Sequence, residues 1–103
     1  MASIISYGRR NLRLVAGLAI LIGLLLPAVQ RAVADTGAGV PPERAIPAGS
    51  DLRLYAAAGV PTLHYGPGDL HLAHGPLERV PVDELVTAAR AFALLTLRTC
   101  GVA

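Results

Sequence analysis

The chain of 103 residues has no lysine, no tryptophan, a single cysteine, and not one acidic side chain before Asp35. Each shortage closes off a class of protein. One cysteine, Cys100, cannot form an internal disulfide, so a disulfide-stapled small fold is excluded. No Cys/His pairs have the spacing of a structural zinc knuckle. No base constellation surrounds Cys100, which therefore reads as a small packing residue and not as a nucleophile. All nine basic residues are arginines. Four of them (Arg9, Arg10, Arg13 and Arg31) precede Asp35, and the other five share the remainder with all seven acids. The formal charge of +2 is thus +4 in the first third and −2 beyond it. That split is a targeting pattern and not a basic surface, so no nucleic-acid partner is expected. The length allows at most one small domain.

What the first third does contain is a run of sixteen uncharged residues, 14–29, behind three arginines and ahead of Ala32-Val33-Ala34. A basic flank, an apolar run and small residues at the two positions read by signal peptidase make a three-part export signal. Crossing ~30 Å of hydrocarbon takes about 20 apolar residues, so cleavage after Ala34 is expected ahead of retention as a membrane anchor. Arg9-Arg10 also resembles a twin-arginine signal. Residues 9–34 would meet the membrane or the export machinery, and the rest would be exported, to the periplasm or beyond, or held at the cytoplasmic membrane. Residues 35–49, rich in proline and glycine, read as a flexible, disordered linker.

Beyond the linker the pattern is α/β. Ser50 or Asp51 can cap a short helix through Ala58, which Gly59 ends. Residues 60–65, VPTLHY, read as a buried strand entered through a proline. Residues 66–69, GPGD, are turn chemistry and open a polar loop that carries His71, His74 and Glu78. Residues 81–99 form the clearest helix, with Pro81 at its start, Asp83 and Glu84 in its first turn, Arg98 in its last and Gly101 after it. Leu85, Ala88, Ala89, Phe92 and Leu95 recur at helical spacing and predict one core-facing side. One strand and one good helix do not make a self-sufficient sheet domain, so residues 50–103 read as part of a larger one.

Five short signatures stand in order across residues 49–101: Gly49-Ser50-Asp51-Leu52-Arg53-Leu54-Tyr55, Gly59-Val60-Pro61-Thr62, Gly66-Pro67-Gly68-Asp69, Ala73-His74-Gly75-Pro76-Leu77-Glu78, and Val80-Pro81-Val82-Asp83-Glu84-Leu85. Together they resemble the carboxy-terminal end of the acetylornithine deacetylase and succinyl-diaminopimelate desuccinylase family, di-zinc metallopeptidases that include carboxypeptidase G and aminoacylase. Ser50 departs mildly from the usual threonine.

The resemblance implies a partial catalytic domain of helix, strand, loop and helix, preceded here by the apolar helix and linker. It implies that His74 is a zinc ligand, in a complete site of two zincs, and that Glu78 orients the loop or the histidine. The chemistry agrees, because a neutral imidazole on a loop beyond a strand is a good zinc ligand and a nearby carboxylate can fix its tautomer. Arg53 is a candidate to hold a substrate carboxylate as a bidentate fork. His64 reads as a packing or hydrogen-bonded residue, His71 could help bind adventitious metal but matches no ligand position, and Asp69 reads as a turn cap ahead of a substrate contact.

The family's His-x-Asp element, bridging aspartate, Glu-Glu pair and dimerisation domain do not occur in the chain. Since a catalytic zinc takes three protein ligands and a water, His74 alone does not assemble a site, and no catalytic residue is assigned. The functional expectation is a hydrolase remnant, of a family that cleaves amides of N-acyl amino acids or small peptides, inactive alone and not stably loaded with zinc. A complementing hydrolase chain is the expected partner. The alternative is a small exported or anchored interaction protein that uses the helix face around Leu85, Phe92 and Leu95.

Overall fold

A computed structural model describes residues 12–44 and 49–101, with side chains from residue 23 onward. Three α-helices carry the architecture: α1 (Leu12–Val33), α2 (Leu52–Ala57) and α3 (Val82–Thr99). A wide turn, Ala34–Ala38, follows α1, and a single 3-10 turn, Leu70–Leu72, lies in the loop before α3. The core sits between α1 and α3. Val29 and Val33 meet Ala91, with Leu25, Leu63, Tyr65 and Leu95 packed around them. Spacings of three and four residues put Leu25, Val29, Ala32 and Val33 on one side of α1. The small Ala91 lets α3 approach that side closely, and it is buried, as is Ala88 one turn earlier. At the far ends Arg98 donates to Asp35 at 2.7 Å, tying the last turn of α3 to the turn after α1.

The helix ends follow local chemistry. Pro81, extended at φ −62° and ψ 136°, leads into α3, whose first turn holds Asp83 and Glu84 where backbone N–H groups are unpaired. In α2 the capping oxygen is that of Ser50, which accepts from the Leu52 N–H at 3.2 Å. Asp51 occupies the cap position but makes no side-chain cap bond. The chain leaves α2 through Gly59 at φ +77°.

Two expectations are corrected. Residues 60–65 run extended beside the core but form no strand, and His64 carries a single-residue bridge. Their composition favours a strand, yet a ladder needs a neighbour, and among the described residues the only other bridge position is Glu43. The α/β expectation therefore becomes a helical arrangement with little strand.

Among the described residues no helix is long and apolar enough to cross a membrane. The end of α1 turns Val29, Ala32 and Val33 into the core, so a cut after Ala34 would remove one side of the α1/α3 contact.

The single apolar face expected on α3 divides into two. Ala91 and Leu95 turn toward α1 and Ala88 is buried, while Leu85 and Ala89 stand exposed on the other side. The sequence of α3 is apolar around much of its girth, and α1 decides which part is covered.

Candidate functional site

The loop between the extended segment and α3 is held by carboxylates at three points. Glu84, from the first turn of α3, reaches back and accepts from the Gly68 N–H at 2.8 Å. Asp69 Oδ1 accepts from the His71 N–H at 2.9 Å, closing the turn that starts Leu70–Leu72. Glu78 Oε2 accepts from the His74 N–H at 3.1 Å. The Glu78 N–H donates in turn to the Gly75 carbonyl at 3.1 Å, so residues 74–78 close on themselves.

Within that small ring His74 has φ +62°, and among the described residues it is the one non-glycine in the left-handed region. Such a conformation is uncommon for a side chain larger than hydrogen, though His visits it more than most residues. The paired Glu78 carboxylate and the tight turn at Gly75 hold it there. The side chain of His74 is exposed.

Beside the loop lies a groove of about 600 Å³ between α1, α3 and residues 61–80. Leu25, Val29, Phe92 and Leu95 form its apolar floor, while Glu78 and Arg79 are among its polar lining. Tyr65 stacks edge-on against Phe92, with ring centroids 5.7 Å apart and planes at 66°.

Burial, and after it the Glu84 carboxylate, push the Tyr65 phenol above its ordinary range. A raised folded value means that this contribution to stability is complete below the unfolded tyrosine value of about 10 and is lost as pH rises through the folded one. Replacing Glu84 by Gln should lower the Tyr65 midpoint yet leave it raised, because burial is the larger cause. Phenolate absorbance, titrated against a Tyr65→Phe reference, measures this. An unmoved midpoint would show that Glu84 does not act on the phenol.

The structure brings only some of the sequence candidates together. His74 and Glu78 meet through the backbone amide of the histidine and not through its ring. His64 Nε2 lies 3.0 Å from Ser50 Oγ, a pairing that ties the extended segment to the start of α2. Arg53 is exposed on α2, outside the groove lining, and has no ion-pair partner among the described residues. His71 contributes its backbone N–H to the Asp69 turn. Cys100 is exposed and follows α3 directly. No three His, Cys, Asp or Glu side chains cluster within metal-binding reach among the described residues. Among the described residues, His74 stands without the companion ligands that a zinc site needs.

Glu84 was missed as a site residue. Its position marks it as a helix-start acid, and nothing in the spacing signals a bond to an amide 16 residues earlier.

Comparison with known proteins gives the family. The profile of peptidase family M20/M25/M40 matches residues 23–98. A protein of Mycobacterium tuberculosis strain CDC 1551 / Oshkosh, provisionally named succinyl-diaminopimelate desuccinylase DapE, is 42% identical over 66 residues, which are 64% of this chain and 18% of that protein. The protein of the same name from strain ATCC 25618 / H37Rv matches equally. The chain thus matches less than a fifth of the length of these curated relatives. No solved structure matches it significantly. The family match begins at residue 23, inside the run expected to be an export signal, so the comparison lends no support to a leader or anchor fused ahead of the family domain. With about three quarters of its length under that profile, the chain belongs to peptidase family M20/M25/M40.

Proposed function

We propose that this chain is a carboxy-terminal portion of a zinc-dependent amide hydrolase, and that it supplies one metal ligand, His74, to a site whose other ligands lie outside it. The substrates are N-acylated amino acids or small peptides, with the N-succinyl class suggested by the name of the M. tuberculosis relatives. The observation that carries this reading is the loop of residues 66–78, which presents an exposed histidine at φ +62° from a ring closed by Glu78 within a stretch matched by the family.

Zinc, when bound in a complete site, polarises the scissile carbonyl and acidifies its water. The described residues do not assemble such a site, so no step of hydrolysis is assigned to them. Their part is geometric. Glu78 fixes the backbone of His74, and Glu84 fixes the turn at Gly68 from which the loop departs. The apolar groove beside the loop suits the acyl or side-chain portion of such a substrate, and Arg79 on its lining is a cation for a carboxylate.

The test is complementation. The purified chain with added zinc should leave N-acetyl and N-succinyl amino acids intact. It should restore hydrolysis when mixed with a form of the M. tuberculosis relative that lacks its matching 66 residues. His74→Ala should cost that mixture more than the roughly 10–100-fold typical of losing a ligand's supporting partner. Hydrolysis by the chain alone would overturn the incomplete-site reading, and an unchanged rate in the His74→Ala mixture would overturn the ligand assignment.

A further inference from the structure

Helix α3 is apolar on the side turned away from α1. Val82 and Leu85 are 74% and 56% exposed, and Val86 and Ala89 are exposed beside them. At about 100° per residue these four share an arc of about 100°, centred far around the axis from Ala88, Ala91 and Leu95. No charge interrupts the stripe. Its spacing, i, i+3, i+4 and i+7, is that of a helix seam that packs on another helix.

Asp83 and Arg90 flank this stripe on one and the same side, two turns apart. Both are exposed, and neither has an ion-pair partner, since Arg98 with Asp35 is the one ion pair among the described residues. Seven residues separate them, about 10 Å of rise, too far to pair with each other along the helix.

A two-fold axis gives both an opposite number. When two copies of α3 run antiparallel about an axis passing between Val86 and Thr87, the same flank of each helix faces the same flank of the other. Asp83 of each copy then stands opposite Arg90 of its mate. A parallel pair would turn opposite flanks together and leave these charges unmatched. The antiparallel arrangement also sets the two helix dipoles head to tail.

We propose that the chain pairs with a second copy of itself through this face, with Val82, Leu85, Val86 and Ala89 as the apolar seam and Asp83 and Arg90 as two reciprocal ion pairs. The face lies on the far side of α3 from the buried contact with α1, and the proposal does not depend on the metal-ligand reading. A two-fold interface is self-complementary, which this pattern of one acid and one base on a common flank satisfies.

Sedimentation equilibrium of the full chain across a concentration series tests it. The mass is expected to rise with concentration from 10.6 kDa toward twice that value. Asp83→Arg and Arg90→Asp should each weaken dimerisation about tenfold or more by placing like charges opposite one another. The double variant, which exchanges the charges in both copies, should restore it. Both side chains are exposed, and circular dichroism of each variant confirms that α3 is retained. A mass that stays at 10.6 kDa throughout would overturn the proposal and leave the face to a different partner. Single reversals that leave the dissociation constant unchanged, or a double variant as weak as the singles, would overturn the antiparallel register.

Discussion

A chain that begins at Asp35 should show no cooperative thermal transition. It loses Val29, Ala32 and Val33, which are buried, together with Leu25, which packs against the core. Each fully buried valine is worth about 1.5–3 kcal/mol, and a domain this small has little stability beyond a few kcal/mol to give up. Ala88, Ala91, Leu63 and Leu95 would be left facing water, so the shortened chain is expected to be unfolded or associated in aggregates. Calorimetry together with sedimentation measures both outcomes. A sharp transition in a monomer of residues 35–103 would show that α1 is dispensable. In the full-length chain Val33→Asp should act in the same direction, costing several kcal/mol by placing a charge where there is no partner for it.

Gly68→Ala should destabilise the fold by about 2 kcal/mol, because φ +93° costs an L residue on the order of 1–3 kcal/mol. The added Cβ would also stand 3.1 Å from Val80 Cγ2, tighter than an ordinary contact. In a domain of this size that loss lowers Tm by roughly 10 °C. Gly66→Ala, two residues earlier in the same turn, is the control. Its added Cβ would meet no atom within 4 Å, and it should change stability by no more than about 0.5 kcal/mol. Thermal melts of the two variants side by side decide the matter, and equal losses would show that the strain at Gly68 is not what the substitution adds. Because the Gly68 N–H is the group held by Glu84, the same variant should also loosen the approach to His74.

The parts of the fold that could be read in advance are those written in adjacent residues. Pro81, Asp83, Glu84, Arg98 and Gly101 mark the ends of α3, and Ser50 and Gly59 bracket α2, because capping and helix termination are decided within a turn of the chain. Residues 60–65 were legible as an extended segment and misleading as a strand, since a strand is completed by neighbours and no ladder forms beside it among the described residues.

The apolar run in α1 carries two meanings. Low charge and a basic flank are what an export signal needs, and only the spacing of Leu25, Val29, Ala32 and Val33 speaks for a packed helix. On α3 the periodicity marked apolar positions correctly but could not divide them, because burial there depends on where α1 lies. In the loop, the signature around His74 pointed to the histidine and to Glu78. The left-handed backbone of His74 and the reach of Glu84 depend on turns whose geometry no single residue type announces.

The contact between α1 and α3 also sets an order of events. Val33 and Ala91 are about 60 residues apart, and the Asp35–Arg98 ion pair spans a separation of 63. A ribosome adding about 5–20 residues per second delivers α1 roughly 3–12 s before α3 exists to cover it. During that interval an apolar helix stands ready with no partner in its own chain, and whatever meets it first, a chaperone or a membrane surface, competes with the fold. Synthesis speed over residues 35–90 therefore sets how long the inward side of α1 waits uncovered.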